Sequence, residues 1–347
     1  MKAVVFDAVN APLRLDELPR PEPGPGELLI KVDACGICAS DLHAVETEGL
    51  LQPGVVMGHE YSGTVVEVGE AVSGWAVGDR LIAVAGRPCG QCPACKEQRV
   101  MECTDFVLQG FDSRMGGAYA EYTLCTAALA FHIPDSLDSR AAAAIEPMAV
   151  GLSAWKTAQV ADGAHVLVIG AGIIGLAVAK WARFFGAGGV AVSERVPARL
   201  ERARSVGVDE VIDAAEHDDP VAEYLDRTGH APSVIFECVG RPLLAQMIEM
   251  AAPNTHLVMV GTGMQPEQFV VLSAALKRLR MTFCMAYEPA DFPFVLEMLA
   301  KERVTIEELI TATVGLDTVV ETFEMLGKPN DHCKVLITPW SSAASAG

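Results

Sequence analysis

One short stretch limits the fold of this chain more than any other. Gly170-Ala171-Gly172-Ile173-Ile174-Gly175 follows an apolar run, His165–Ile169, and leads into a helical run, Ile173–Phe185. Glycines at this spacing suit a strand that turns sharply into a helix. Gly170 permits the turn, Gly172 lets a pyrophosphate approach the helix N-terminus, and Gly175 lets helix and strand pack closely. Ile173 and Ile174 open the helix and are counted with the glycines as cofactor contacts. Glu194 ends the next apolar run about twenty residues further on, where an acid can bind the adenosine ribose hydroxyls. Together these features predict dinucleotide binding. Glu194 would repel the extra phosphate of NADP, so NAD is the preferred cofactor. Arg195 beside it, and Arg199 one helical turn on, keep NADP open.

The surrounding rhythm agrees with that loop. Gly189–Ser193, Val211–Asp213, Val234–Glu237, Leu257–Val260 and Met281–Met285 read as strands, and Pro197–Val206 as an amphipathic helix with Pro at its start. Strands alternating with helices from Ala164 onward predict a doubly wound parallel sheet. The earlier part of the chain is β-rich. Lys2–Phe6, Leu28–Val32, Tyr61–Val68, Arg80–Val84 and Tyr119–Cys125 are short apolar or alternating runs, separated by turn residues such as Gly69 and Gly78-Asp79. They predict a compact, barrel-like domain with long loops. A helical stretch from Ala141 through Val150 to Trp155 joins the two patterns. Beyond Tyr287, Phe292–Lys301 and Thr318–Leu326 read as helices and Lys334–Thr338 as a strand returning to the first domain. Ser341 to Gly347 are small and polar, and a loose end is expected there. The fold class is α/β, with two domains in 347 residues.

Two cysteine-bearing loops carry the chemistry. Cys89-Gly90-Gln91-Cys92-Pro93-Ala94-Cys95 is followed, after seven residues, by Cys103. Four thiolates this close can surround one metal ion and leave no position for a reactant, which describes a structural zinc site. Disulfides are disfavoured: the chain has ten cysteines and no export signal, since Met1–Phe6 meets Asp7 before any sufficient apolar run. An iron–sulfur run would have a shorter last gap followed by Pro, and Thr104 follows Cys103. The earlier loop reads Cys35-Gly36-Ile37-Cys38-Ala39-Ser40-Asp41-Leu42-His43, with Gly58-His59-Glu60 further on. Cys38 and His59 offer a thiolate and an imidazole, which suit zinc. Glu60 adds a hard oxygen ligand or a nearby charge. Asp41 is placed to accept the second N–H of His59, and Ser40 and His43 to carry a proton away.

Charge narrows the partners. Lys+Arg 26 against Asp+Glu 45 gives a formal net charge of −19, which repels phosphate backbones, so no nucleic-acid partner is expected. The longest apolar run, Val166 to Ala179, is too short to span a bilayer and is broken by glycines, so no membrane partner is expected either. A cytoplasmic location is expected.

With both loops and the glycine turn in hand, the chain resembles the zinc-dependent, medium-chain alcohol dehydrogenase family over nearly its whole length. Ile145-Glu146-Pro147-Met148-Ala149-Val150-Gly151 is similar to the branch holding sorbitol, butanediol and threonine dehydrogenases. The resemblance implies a GroES-like catalytic, zinc-binding domain from residues 1–150 and 288–347, and a Rossmann domain over 151–287. It implies two zinc ions per chain. The catalytic one would be held by Cys38 and His59, with Glu60 and Glu146 competing for the remaining place. It further implies a proton relay through Ser40 and His43, and a contact from Lys334 or a neighbour to the cofactor's phosphates. Ala39 departs from members with a basic residue there. The implied reaction is hydride transfer between a nicotinamide cofactor and a secondary alcohol, polyol or amino alcohol, or the matching ketone, in a homotetramer or homodimer. A reductase of ketones or cyclic imines on the same scaffold, or a non-catalytic redox sensor, stays open as an alternative.

Overall fold

The computed structural model describes residues 1–341, so the expected loose end beyond Ser341 lies outside the described residues. The chain divides into two compact units. One comprises Met1–Glu146, Phe292–Lys301 and the stretch from Thr305 onward; the other comprises Pro147–Asp291 and Glu302–Val304.

The first unit is built around the strand Glu27–Gly36. Its apolar residues Leu28, Leu29, Ile30 and Val32 are fully buried, and each such side chain contributes about 1.5–3 kcal/mol on leaving water. The strand pairs antiparallel with Glu60–Val68, Tyr122–Thr126 and Lys334–Ile337. Register shifts at Leu29/Ile30 and Val32/Ala34 let it bend, as barrel-like sheets require. The full path runs Ala130–His132, Arg80–Ala83, Glu60–Val68, Glu27–Gly36, Lys334–Ile337, Ile310–Val314. Leu28, Ile30, Val32, Tyr61, Val65, Leu81, Val335 and Ile337 share one core.

Two differences from the expected strands have physical causes. The strand expected over Tyr119–Cys125 begins only at Tyr122, because Tyr119 and Ala120 pair elsewhere: Tyr119 makes backbone hydrogen bonds with Val4 and Met57, Ala120 bridges Ala3, and only from Tyr122 does the chain lie along Glu27–Gly36. Ile310–Val314, parallel to Lys334–Ile337, escaped the sequence reading; all five of its residues are half-buried, so it carries no alternating pattern.

The second unit is a six-stranded parallel sheet in the order Glu210–Asp213, Gly189–Glu194, His165–Ile169, Val234–Glu237, His256–Met259, Arg280–Phe283. Numbered along the chain this is 3-2-1-4-5-6, the doubly wound order. The four inner strands are near-continuous apolar runs because helices cover both faces of such a sheet. Leu167, Ala191, Ile212, Ile235 and Leu257 pack with Met247 and Ile248 of the helix Leu244–Met250. Among the described residues no helix is long and apolar enough to cross a membrane.

Candidate active site

In the first unit, Glu27–Gly36 delivers the chain to a short helix, Ala39–Ala44, whose N-cap is Cys38. Asp41 sits at the third helical position and turns back, accepting the Cys38 N–H at 3.1 Å. Its carboxylate is wholly buried. Oδ2 also accepts the Tyr119 hydroxyl at 2.6 Å, and Oδ1 lies 3.3 Å from His59 Nδ1. That last separation is an ion-pair distance, and among the described residues neither atom has a hydrogen-bond partner. Burial alone would push the Asp41 carboxyl up, but His59, Tyr119 and the Cys38 N–H outweigh it and hold it below the usual range. Burial likewise works against a charged His59 ring, and Asp41 reverses that, raising its pKa well above the ordinary value. Nδ1 thus faces a fixed acceptor. The other ring nitrogen, Nε2, lies 3.5 Å from Ser40 Oγ.

His59 leads into the strand Glu60–Val68, where Glu60 pairs with Gly36 across the ladder. Glycine is needed at 36, because a Cβ there would overlap Glu60 Oε2. The carboxylate enters that space and takes both oxygens to Lys334 Nζ, at 2.8 and 2.6 Å, while Nζ also donates to Ile37 O at 2.9 Å. Both residues of this pair are 1% exposed. Burial would lower the Lys334 pKa; the charges of Glu60, Cys38 and, more weakly, Glu146 push it above the ordinary lysine value. One potential ligand atom from each of Cys38, His59 and Glu60 lies within 4.8 Å of the others. A thiolate, an imidazole and a carboxylate at that separation fit a zinc ion with one position left for a substrate oxygen.

The four cysteines of the second loop also converge, their sulfurs lying within 4.8 Å of one another. Zinc–sulfur bonds place tetrahedral sulfurs about 3.8 Å apart, so only slight contraction closes the set. The Cys89 N–H points at the Cys103 sulfur, Cys92 N–H at Cys89, and Cys95 N–H at Cys92. The Cys95 N–H draws the Cys92 thiol down to about 6, while burial and the Cys92 sulfur push Cys95 up to about 12. Thiols this close cannot all ionise until a cation joins them. Among the described residues no two cysteines are joined in a disulfide.

In the second unit, the turn from His165–Ile169 into the helix Ile173–Phe184 holds Gly170 at φ +100°, and Gly172 is the helix N-cap. A Cβ at Gly172 would meet nothing within 4 Å, so the backbone there is open to a ligand. A Cβ at Gly175 would strike the Gly170 carbonyl, so helix and turn close only on glycine. Ile173 and Ile174 are half-buried at the helix start. Glu194 Oε2 accepts the Ala171 N–H at 3.0 Å, and Oε1 accepts those of Arg195 and Val196, which pins an acid beside the loop. Arg195 is exposed; Arg199 is half-buried and its Nε has no hydrogen-bond partner among the described residues.

Comparison with known proteins agrees with this arrangement. The alcohol dehydrogenase GroES-like domain model matches residues 24–135 and the zinc-binding dehydrogenase model residues 174–301. The sorbitol dehydrogenase of Halalkalibacterium halodurans is 32% identical over 94% of this chain and 95% of its own. The chain belongs to the zinc-binding alcohol dehydrogenases. As a member of that family it is an oxidoreductase, with a GroES-like domain and a Rossmann domain. A zinc-binding dehydrogenase from Sinorhizobium meliloti 1021, solved bound to NADP, superposes with a TM-score of 0.88 at 29% identity, over 97% of this chain and 99% of that one. The 2R,3R-butanediol dehydrogenase of Bacillus subtilis superposes with a TM-score of 0.87 at 30% identity, over 97% and 99%.

Within this dehydrogenase the structure sorts the candidate residues. Cys38, Ser40, Asp41, His59 and Glu60 come together, and His43 is exposed on the last turn of the Ala39–Ala44 helix. Glu146, half-buried in the first turn of Ile145–Ala158, stands outside the set of ligand atoms that Glu60 joins. Lys334 is a correction. Its three donor contacts all go to Glu60 and Ile37, so the ammonium is committed to the metal cluster and is not presented to a cofactor phosphate. Tyr119 escaped the sequence reading altogether: it touches Asp41 across 78 positions of chain, and no spacing signals that.

Proposed function

We propose that this zinc-binding dehydrogenase moves a hydride between a nicotinamide cofactor and a secondary alcohol, polyol or amino alcohol, or the matching ketone. The observation that carries the reading is the approach of Cys38, His59 and Glu60 within 4.8 Å, a three-ligand set beside a hydroxyl. Zinc bound by them supplies Lewis acidity that lowers the pKa of a substrate hydroxyl. A nicotinamide cofactor supplies the hydride acceptor. The chain's own groups do the rest. Asp41 fixes the His59 ring through Nδ1, and Tyr119 and the Cys38 N–H fix Asp41. Glu60 and Lys334 neutralise one another, which limits the charge gathered around the cluster. Ser40 Oγ, next to His59 Nε2, accepts the substrate's proton, and the exposed His43 passes it to solvent.

Glu194 favours NAD, because a carboxylate pinned beside the glycine loop repels a 2′-phosphate; the NADP found in the Sinorhizobium relative makes this the point to measure. The four-cysteine cluster is proposed to hold a second, structural zinc. Ten cysteines with no disulfide among the described residues support a reducing, cytoplasmic setting. A homo-oligomer is also proposed. Arg280–Phe283 is an edge strand of its sheet, with Phe283 72% and Met285 80% exposed. Val271, Leu272 and Leu276 of the preceding helix are exposed as well, and apolar edges of this kind are normally covered. Light scattering of the wild type and of Phe283→Asp tests it: an oligomer that the substitution dissociates is expected, and a monomeric wild type would end the idea.

The deciding experiment is a screen of secondary alcohols, diols and amino alcohols with NAD and NADP, with ketones and cyclic imines in the reverse direction, and metal content measured alongside. Turnover with an alcohol and about two zinc ions per chain is expected. Active material that carries only one metal ion would refute the catalytic site.

A further inference from the structure

A second carboxylate flanks the glycine loop, on the side away from Glu194. Glu237 ends the strand Val234–Glu237 and lies opposite Ile169 in the neighbouring strand. It is 1% exposed. Burying a carboxylate is expensive unless hydrogen bonds compensate, so its place in the fold needs a cause.

Its contacts supply one. Oε1 accepts the N–H groups of Val239 at 2.7 Å and Gly240 at 2.9 Å. The Glu237 carbonyl accepts those of Val260 and Gly261, both at 2.9 Å. A Cβ on Gly261 would stand 2.6 Å from Glu237 Oε2 and would overlap Gly240 N. The loop after Val234–Glu237 therefore touches the loop after His256–Met259, with the carboxylate between them. On the other flank, a Cβ on Gly170 would stand 2.8 Å from Val239 Cγ2. The segment that Glu237 holds is thus the one that abuts the first glycine of the cofactor turn.

Strand order says what lies above it. From the central strand His165–Ile169 the sheet winds one way to Gly189–Glu194 and the other way to Val234–Glu237. Dinucleotides lie across the carboxyl ends of the strands at that reversal, one half on each side. Glu194 stands on the adenosine side, so the other half falls to the loops that Glu237 ties together. We infer that Glu237 is a positioning residue for the nicotinamide half of the cofactor, fixing the backbone of Val239, Gly240 and Gly261 on which that half rests. This rests on the dinucleotide reading proposed above.

The test separates the two halves of the ligand. Binding of AMP and of NAD+ is titrated by calorimetry on the wild type, Glu237→Gln and Glu237→Ala. Glu237→Ala should bind AMP as the wild type does and bind NAD+ on the order of tenfold more weakly, as loss of charge-assisted hydrogen bonds implies. Glu237→Gln keeps an acceptor for the same two N–H groups and should lose less, about threefold, which also carries the test should the alanine variant not fold. Parallel weakening of AMP and NAD+, or unchanged NAD+ affinity, would overturn the inference. A wild type that bound neither ligand would instead overturn the dinucleotide reading.

Discussion

The two cysteine clusters differ in how they are built, and the difference separates holding from reacting. The four-cysteine cluster draws on fifteen consecutive residues, Cys89 to Cys103, and three of its sulfurs receive backbone N–H groups from within the same loop. Every donor is a sulfur, and the set closes on itself. The other cluster draws on three distant parts of the chain. Cys38 caps a helix, His59 leads into the strand that Glu60 starts, and Lys334, 274 positions from Glu60, supplies the counter-charge. Its donors are mixed, its carboxylates are buried and partnered, and a hydroxyl stands beside its imidazole. A local, uniform, self-satisfied site serves stability. A long-range, mixed, incomplete one serves chemistry, because it can offer a place to a substrate.

The sharpest way to break this comparison is to remove one thiolate from each cluster. Cys38→Ala should lower kcat/KM about a thousandfold, the loss of several kcal/mol of electrophilic assistance, while the melting temperature moves little. Near-normal turnover by that variant would take Cys38 out of the reaction. Cys95→Ser should do the reverse. The first unit should melt about 10 °C lower once its loop loses its clamp, and turnover at low temperature should stay within about twofold. Matching losses in both properties from both variants would erase the distinction between the clusters.

The same contrast explains what could be read from the chain beforehand. The four-cysteine loop and the Gly170–Gly175 turn were legible because each acts within one short segment, where spacing alone states the geometry. The inner strands of the second unit were legible for a related reason: each is a largely buried apolar run bounded by helical periods. Cys38 and His59 were visible as ligand types, yet nothing local said that a Glu60 oxygen would lie within 4.8 Å of both. That follows from the pairing of Gly36 with Glu60 and from the space a missing Cβ leaves. Lys334 was misread for the same reason. A lysine near the chain's end looks free to reach a phosphate until its strand is laid against Glu27–Gly36, which delivers the ammonium into the Glu60 carboxylate. Tyr119 and Glu237 gave no signal, because each acts through contacts that exist only once the sheets have formed.

The Lys334 pairing offers the next test. Lys334→Met removes the ammonium and leaves Glu60 charged and enclosed, which should cost about 3 kcal/mol of stability in the metal-free protein. A freed Glu60 can turn its oxygens to a cation, so added zinc should restore more stability in the variant than it adds to the wild type. Thermal melts with and without zinc read both effects. An equal zinc increment in the two proteins would mean that Glu60 serves only as the lysine's counter-charge.

The smallest expected effect concerns a residue that acts on His59 through Asp41. Tyr119→Phe keeps the ring, which fills the buried space beside residue 58, and deletes only the hydroxyl that donates to Asp41 Oδ2 at 2.6 Å. Asp41 then retains the Cys38 N–H and its approach to His59 but loses its shortest hydrogen bond. The fold should hold, since a phenylalanine ring satisfies the same packing. The carboxylate should hold the His59 ring less firmly, and partners of this kind are worth about tenfold in metal affinity when removed. Competition of the variant and the wild type for zinc against a chelator measures that ratio directly. The four-cysteine site is its internal control, because no residue of that loop touches Tyr119 or Asp41 among the hydrogen bonds they make. A variant that releases both metal ions more readily has loosened as a whole, and one that releases only the ion at Cys38 and His59 places the buried hydroxyl in the service of the reacting site.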